Sequence, residues 1–343
     1  MPSVKNKGAF REALCNEIVA RKDYLHGEKV ETVYFGGGTP SILSIDELKS
    51  IMALLHDTFE IDSQAETTLE ANPDTLSSEY LKGLESIGIN RLSIGIQSFF
   101  DNDLQYLSRR HDSRHAHQCV KLAKDAGFEN ISLDLIYGLP TSDSNQWSRN
   151  LDLFFEMDVP HLSAYALTLE PNSILTKQIE MGRVKPVNEE DAVRDYDILC
   201  RRAEAEGFLH YEISNFCKPG FHSKHNANYW FGIPYAGFGP SAHSFDGVSR
   251  QWNASRQSTG VEKEILTPEQ HYNEYVMLRL RTMWGVDLKY LKREMGERFS
   301  SYCERQAEPL IAQGRLSRTR EFLYLNDDQM LFADGVAEEL FWD

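Results

Sequence analysis

Residues 30–40 read VETVYFGGGTP, a short run of β-branched and aromatic residues that ends directly in three glycines. The run has the composition of a β-strand, and the glycines let a ligand approach the backbone because no Cβ stands in the way. The string is neither a G-x-G-x-x-G fingerprint nor a P-loop, since no lysine follows the glycines. The stretch therefore predicts a strand followed by a ligand-binding turn, and it disfavours a phosphate cradle.

A strand-then-helix pattern extends from this stretch in both directions. A helix is predicted over residues 8–25, and Ser44 with Glu47 forms a capping box at the start of a helix over 44–59. Four more strands are predicted at 67–71, 91–97, 131–138 and 161–169, and the helices after them at 77–87, 113–126, 145–156 and through to about Glu206. Strands separated by helices indicate a parallel sheet, either a complete or partial (β/α) barrel or a doubly wound sheet.

The five strands place polar or glycine residues at or near their carboxyl ends, where α/β proteins bind their ligands. Glu70 and Asp134 lie inside otherwise apolar strands, and a buried carboxylate needs a partner or a ligand. One hypothesis is an enzyme that uses these two carboxylates as an acid–base pair, which requires both to lie on one face of the sheet. The other residues in these positions are Gly36, Gly37, Gly38, Thr39, Asn72, Gln97, Ser98, Gly138, Pro140, Thr168 and Glu170.

Several strings of the sequence together resemble a known family. GGGTP, LEANP, RLSIGIQSF, DLIYGLP and SAYALTLEP, in this order, resemble motifs of the coproporphyrinogen-oxidase-like branch of the radical S-adenosylmethionine (SAM) proteins. HNANYW at 225–230 resembles the HNxxYW motif of the HemW-type haem chaperones in that branch, and GFGPSAHSF at 237–245 fits the same group. The resemblance spans residue 8 to the C-terminus and implies an α/β fold with a partial (β/α)6 TIM-like barrel.

The resemblance also implies a SAM-binding site. The residues that match its positions are Gly37, Gly38, Thr39, Glu70, Gln97, Arg109, Asp134 and Thr168. The first three would meet the methionine moiety, Glu70 would bind the ribose or the amino group, and Thr168 would add a backbone contact near the adenine. These residue types suit a sulfonium zwitterion, which presents an ammonium group, a carboxylate and two ribose hydroxyls.

A second site is implied by HNANYW. An imidazole can be an axial ligand of haem iron, and aromatic side chains can pack on a porphyrin face. The resemblance therefore assigns haem binding to His225 with Asn226, Tyr229 and Trp230, and it leaves His222 as a weaker candidate.

The cysteines do not supply the iron–sulfur site of this family. Radical SAM proteins hold a [4Fe–4S] cluster through a CxxxCxxC triplet, whose thiolates must converge on one cube. The five cysteines, Cys15, Cys119, Cys200, Cys217 and Cys303, contain no such triplet, so no metal ligand is assigned within this chain. Either the cluster motif and the first barrel strand lie upstream of Met1, in a longer protein to which the cluster belongs, or the chain is a naturally cluster-less homologue. We expect the first.

The chain is predicted to have three parts. Residues 1–207 form the barrel, and residues 208–262, which show little helical periodicity, flank it and carry HNANYW. Residues 263–343 form a small helical, winged-helix-like domain. Its helices are predicted at about 268–282, 287–295 and 298–312, and its hairpin-like end at 316–326 and 329–333.

Composition narrows the classes of function. The formal net charge of −16 disfavours a nucleic-acid partner, because binding to phosphates needs a basic surface. No apolar run approaches the roughly 18 residues of a membrane span, and the N-terminus has no secretory h-region, so a cytoplasmic protein is predicted. The resemblance implies haem or a porphyrin as ligand and apo-haemoproteins as partners, with membrane respiratory enzymes among them.

Two functions follow from the resemblance. The first is a haem chaperone, which HNANYW favours. The second is an oxygen-independent coproporphyrinogen III oxidase (dehydrogenase), which decarboxylates two propionates by radical hydrogen abstraction. The barrel motifs are common to both and do not separate them.

Overall fold

The computed structural model describes residues 7–171, 173–254 and 261–342. The chain divides into two compact units, each built from separate segments. The first unit comprises residues 1–38, 43–66 and 223–343, and the second comprises residues 39–42 and 67–222.

The principal sheet has seven strands. They are β1 (Val30–Phe35), β2 (Ile61–Ala71), β3 (Arg91–Gln97), β4 (Asn130–Tyr137), β5 (His161–Ala166), β6 (Leu209–Glu212) and β7 (Asn215–Cys217). Their order in the sheet is β1-β2-β3-β4-β5-β7-β6. Strands β2 to β5 pair in parallel, whereas β7 pairs antiparallel with both β5 and β6. The five predicted strands are confirmed, although β2 begins six residues before residue 67 and β5 ends at Ala166, before the predicted residue 169.

Two small antiparallel sheets belong to the first unit. One contains β8 (His243–Phe245), β9 (Ser249–Asn253) and β10 (Val261–Ile265), and the other contains β11 (Val286–Asp287), β12 (Ser317–Arg318) and β13 (Phe322–Tyr324). Their strand orders are β10-β9-β8 and β11-β13-β12.

The helices follow the strands as the sequence predicts. They are α1 (Lys7–Ala20), α2 (Ile45–Thr58), α3 (Ser78–Ser86), α4 (Asp101–Tyr106), α5 (Ser113–Asp125), α6 (Ser144–Glu156), α7 (Ile174–Glu180), α8 (Glu189–Ala205), α9 (Lys224–Phe231), α10 (Pro268–Leu280), α11 (Leu288–Tyr290), α12 (Glu297–Ala312), α13 (Asp327–Met330) and α14 (Ala333–Glu338). The predicted capping box at α2 is confirmed, with Ser44 and Glu47 each bonded to the other's backbone N–H. The predicted extension of α1 to residue 25 is wrong, because the chain turns after Ala20 and residues His26 and Gly27 take positive φ.

In the second unit, one face of the parallel strands is apolar. Leu92, Leu133 and Leu162 are fully buried on this face, and Leu133 aligns with Leu162 in the register of β4 and β5. Trp147 on α6 donates from Nε1 to the carbonyl of Asp195 on α8 at 2.8 Å, which joins two helices of this unit. The apolar core of the second unit therefore lies on one face of the sheet, and the opposite face carries other side chains.

The C-terminal part of the first unit has its own core. Tyr272, Val276 and Leu280 on α10 pack with Leu310 on α12 and Val336 on α14 in one buried cluster. The predicted helices and the hairpin of β12 and β13 are confirmed. The prediction that residues 329–333 belong to the hairpin-like end is wrong, since they lie at the end of α13 and the start of α14.

Among the residues that the structure describes, no helix combines the length and the apolar character needed to cross a lipid bilayer.

Candidate functional site

The second face of the parallel strands carries a connected set of polar side chains in the second unit. Ser93 donates from Oγ to Oδ1 of Asp134 at 3.0 Å, and Ser163 is a second hydrogen-bond partner of that carboxyl. Ser132 lies 3.2 Å from Ser163, Oγ to Oγ, and 2.7 Å from Nδ1 of His161. The parallel register aligns these positions, because Ser93 pairs with Ser132, and Ser132 with His161. We call this the polar face of the sheet.

Parallel sheets are commonly apolar on both faces, since helices cover both. A hydrogen-bonded polar face therefore indicates a surface that receives a ligand instead of a helix layer. Burial raises the pKa of Asp134, while its two serine partners and the charges of Arg91 and Arg109 oppose that shift. A carboxyl in this setting favours either its neutral form or a cationic ligand beside it.

Glu70 lies on the same face as Asp134. It aligns with Ser93 in the register of β2 and β3, and Ser93 is the residue that donates to Asp134. Desolvation by the surrounding protein and the charge of Asp134 raise the pKa of the Tyr165 phenol, and the charge of Glu70 adds to this shift. Glu70 and Asp134 therefore lie on one face of the sheet, which is the condition for the carboxylate pair. The structure connects them through Ser93 and not by a direct contact that it describes.

Gln97 ends β3 in a left-handed conformation, with φ of 70°. It is 8% exposed, and a Cβ added at Gly95 would lie 2.7 Å from its Nε2. Asn72, whose Oδ1 would lie 3.8 Å from the same Cβ, donates from Nδ2 to Oγ1 of Thr39 at 3.4 Å. The fold thus brings Gln97, Asn72 and Thr39 together, and a side chain at position 95 would require the amide group of Gln97 to move.

The remaining residues assigned to SAM lie apart from this cluster. Arg109 is exposed and lies within electrostatic range of both Asp134 and Asp74. Thr168 is exposed two residues beyond β5, where its hydroxyl donates to the carbonyl of Ala166 at 3.4 Å. No described contact joins Thr168 to Asp134 or to Arg109.

Gly37 and Gly38 belong to the first unit, directly after β1. Gly37 has φ of 76°, a conformation that favours glycine. A Cβ added at either residue would meet no atom within 4 Å, so their backbone faces open space. Both glycines leave the room that a bound ligand needs.

The histidine of HNANYW lies on α9, in the first unit. Ser223 caps the helix by accepting from the backbone N–H of Asn226 at 3.2 Å, and Gly232 ends it in a left-handed conformation. Glu66, which is 6% exposed, accepts from the backbone N–H groups of Lys224 at 3.1 Å and His225 at 3.0 Å. The sequence shows little helical periodicity in this segment, yet residues 224–231 form a helix whose two ends are capped by Ser223 and Gly232.

The imidazole of His225 is held on three sides. Its Nδ1 is hydrogen-bonded to Oγ1 of Thr32 at 2.9 Å, and its Nε2 to the hydroxyl of Tyr229 at 3.0 Å. Its ring stacks on that of Tyr34, with centroids 4.7 Å apart and planes 18° apart. We call His225, Thr32, Tyr34, Tyr229 and Glu66 the imidazole site.

His225 and Tyr229 line a cavity of about 1350 Å³ in the first unit. Most of its other walls are apolar, and they come from α1, β1, α2 and the segment 233–243. An apolar cavity beside an imidazole suits a large apolar ligand that carries a metal ion.

Trp230 lies on a different side of α9 from this imidazole. The guanidinium of Arg281 lies over its ring at 5.9 Å, and the neighbouring Phe231 contacts Trp284 with ring centroids 4.7 Å apart. Asn226 contributes a backbone N–H to the helix cap. Of the four residues assigned to haem, the structure therefore joins His225 and Tyr229 and directs Trp230 elsewhere.

Sequence reasoning missed most members of both clusters. The signal for the polar face is the alternation in RLSIGIQ, ISLD and HLSAYA, where every second residue is polar or glycine. That alternation identifies Arg91, Ser93, Ser132, His161 and Ser163. No comparable local pattern identifies Thr32 or Glu66.

The described residues do not fit an iron–sulfur cluster. No group of three or more histidine, cysteine, aspartate or glutamate residues among them could hold a metal ion. The five cysteines are separate free thiols. Burial raises the pKa of Cys119 and of Cys217 to about 12, which keeps both protonated and unsuited to metal binding.

Comparison with known proteins places these features in context. Residues 2–154 match the Radical SAM superfamily model, and residues 266–332 match the HemN C-terminal domain model. The heme chaperone HemW of Bacillus subtilis is 33% identical over 319 residues, which cover 90% of this chain and 84% of the relative. The heme chaperone HemW of Escherichia coli is 30% identical over 347 residues, which cover 96% of this chain and 89% of the relative.

A solved structure of coproporphyrinogen III oxidase (HemN) from Escherichia coli, a radical SAM enzyme, aligns with a TM-score of 0.84. The alignment covers 99% of this chain and 84% of that chain, at 20% identity, and so shows the fold alone. The predicted partial barrel of the radical SAM type, with a small C-terminal helical domain, is confirmed.

Proposed function

We propose that this chain, which belongs to the HemW family of radical SAM proteins, binds haem and delivers it to apo-haemoproteins. The observation that carries the proposal is the imidazole site, where a histidine of HNANYW is held in one orientation at the wall of an apolar cavity. Membrane respiratory enzymes are the recipients that we propose for the haem.

The imidazole site suits axial ligation of a haem iron. Histidine ligands of metals commonly hydrogen-bond their second ring nitrogen, which fixes the tautomer and the ring orientation. Thr32 fills that role at Nδ1 of His225, and Tyr34 limits rotation of the ring by stacking on it. The apolar walls of the cavity would exclude water from the macrocycle, and Tyr229 would lie beside the bound iron.

The polar face fits SAM, which the radical SAM family implies together with a [4Fe–4S] cluster. Glu70 and Asp134 would hold the ammonium and ribose groups, Arg109 the carboxylate, and Gln97 would contact the ligand beside Gly95. The roles of Gly37, Gly38, Thr39 and Thr168 stay predictions that rest on the resemblance to the family. When bound to a reduced cluster, SAM supplies radical chemistry, but the described residues offer no ligand set for that cluster.

The alternative function, coproporphyrinogen III oxidation, uses the same polar face, so that face does not separate the two functions. The imidazole site supports the haem carrier, because a histidine at the wall of an apolar cavity is a candidate axial ligand of haem iron.

Titration with ferric haem tests the proposal. We expect a stoichiometric Soret band for the full chain and a loss of affinity of about tenfold or more for His225→Ala, because the axial ligand is removed. His56→Ala, at an exposed position on α2 outside the cavity wall, is the matched control and should keep the affinity of the parent chain. Transfer of the bound haem to apomyoglobin, followed by its Soret shift, tests delivery. A chain that binds no haem, or a His225→Ala variant with unchanged affinity, contradicts the proposal.

A further inference from the structure

We propose that Thr32 and Tyr229 set the haem affinity of His225 in opposite directions. Thr32 holds the tautomer in which Nε2 carries the free electron pair, and the hydroxyl of Tyr229 occupies that electron pair until an iron atom displaces it. This inference rests on the proposed function, since it takes haem as the ligand.

The two hydrogen bonds of the ring share a single proton. A neutral imidazole has one N–H, so one ring nitrogen donates and the other accepts. Thr32 lies at Nδ1, at 2.9 Å, and Tyr229 at Nε2, at 3.0 Å. A phenol is a better hydrogen-bond donor than an aliphatic alcohol, so the favoured arrangement has Tyr229 donating to Nε2 and Nδ1 donating to Thr32.

Tyr229 competes for the nitrogen that would bind iron. Its hydroxyl lies 3.0 Å from Nε2 of His225, so an iron atom and this hydroxyl cannot both use the electron pair of Nε2.

Of the two partners, Tyr229 is the one free to move. Its side chain is 39% exposed, and it lies two residues before the end of α9. His225 is fixed by the ring of Tyr34 and by the bond of its backbone N–H to Glu66. On ligation the Fe–Nε2 bond forms and the Tyr229 hydrogen bond to Nε2 breaks, with no proton lost from the imidazole and no change in iron oxidation state.

The affinity test uses haem and two substitutions. Tyr229→Phe keeps the ring and its edge contact with Tyr235, whose ring centroid lies 4.6 Å away, and removes only the hydroxyl. We expect its haem affinity to rise about threefold to tenfold, the range that one neutral hydrogen bond provides. Thr32→Val, which has a similar shape, should lower the affinity about tenfold, and Thr32→Ser should restore it. Tyr290→Phe, which removes the hydroxyl of a half-buried tyrosine on α11, controls for the loss of a phenol.

A second measurement needs no haem. Diethyl pyrocarbonate acylates neutral imidazole nitrogens, and mass spectrometry of the peptide that contains His225 gives the rate. Tyr229→Phe should raise this rate several-fold, because the hydroxyl no longer occupies Nε2. Tyr290→Phe should leave the rate unchanged.

The two measurements separate the inference from the proposed function. A rise in both acylation rate and haem affinity supports the opposing roles. A faster acylation with haem binding that does not depend on His225 overturns the haem site while it confirms that Tyr229 covers Nε2. A Tyr229→Phe variant that changes neither quantity, or a Thr32→Val variant with undiminished affinity, overturns the inference.

Discussion

The polar face and the imidazole site place functional side chains by different means. On the polar face, Ser93, Ser132 and His161 take their positions from strand pairing, since each aligns with the next in a parallel register. In the imidazole site, His225 is positioned by Thr32, 193 residues earlier in the chain, and Glu66, 159 residues earlier. The first arrangement repeats a local pattern, whereas the second depends on individual contacts between distant segments.

This difference determines how each region responds to substitution. A sheet face keeps its geometry when one hydroxyl is lost, because the backbone ladder remains. An eight-residue helix is too short to be stable on its own in water, so α9 depends on its caps. We therefore expect tolerance on the polar face and sensitivity at α9.

The largest expected effect separates the two faces of the sheet. Leu133→Ala removes a fully buried side chain from the apolar face and should lower the free energy of unfolding by about 2–5 kcal/mol. Ser93→Ala on the polar face loses one hydrogen bond to Asp134 and should lower it by about 1 kcal/mol. Urea denaturation of both variants provides the measurement. Equal losses would mean that the polar face is part of the packed core.

The second-largest expected effect tests whether α9 stays folded without the carboxylate that caps it. Glu66→Ala removes the carboxylate that accepts from the N–H groups of Lys224 and His225, a loss of about 1–2 kcal/mol in local stability. Hydrogen exchange at these amides should become about tenfold faster. Glu60→Ala, an exposed residue just before the same strand, is the matched control. Unchanged hydrogen exchange in Glu66→Ala would show that α9 is stable without this cap. The polar face and α9 would then not differ in their sensitivity to substitution.

The smallest effect concerns a buried base on the polar face. Burial of His161, which is fully buried, and the nearby charges of Arg91 and His222 lower its pKa well below the usual value of 6.5. Its neutral form stabilises the fold above that value, and this stability is lost as the pH falls below it, with a slope of up to about 1.4 kcal/mol per pH unit.

Unfolding free energies at pH 7.5 and pH 5.5 test this dependence. His161→Gln should reduce the acid-side slope, because glutamine does not titrate. If the free energy of unfolding falls equally in the parent chain and in His161→Gln between pH 7.5 and pH 5.5, or falls in neither, the result contradicts a neutral buried imidazole at His161.

The sheet and its polar face could be predicted in large part from the sequence. Strand positions follow from short β-branched runs, and Glu70, Gln97 and Asp134 stand out as polar residues in apolar surroundings. Periodicity of two assigns Asp134 and Ser132 to one face, but only the register shows that Ser93 and Ser163 both reach the same carboxyl.

The imidazole site could be predicted only in part. The motif HNANYW identifies His225, while its composition hides the helix, because caps at Ser223 and Gly232 replace an apolar stripe. Thr32 in VETVYF has no local feature that marks it as a partner of a histidine 193 residues away. Contacts of this kind depend on tertiary packing, which neither periodicity nor propensity encodes.

The bond between Glu66 and His225 has a consequence for the order of events during synthesis. The two residues are 159 positions apart, and a ribosome adding about 5–20 residues per second needs roughly 8–30 s to travel from one to the other. During that interval the nascent chain contains Thr32, Tyr34 and Glu66 but lacks the helix that they position. An imidazole with this geometry therefore forms only after the chain has been made as far as Phe231, the last residue of α9.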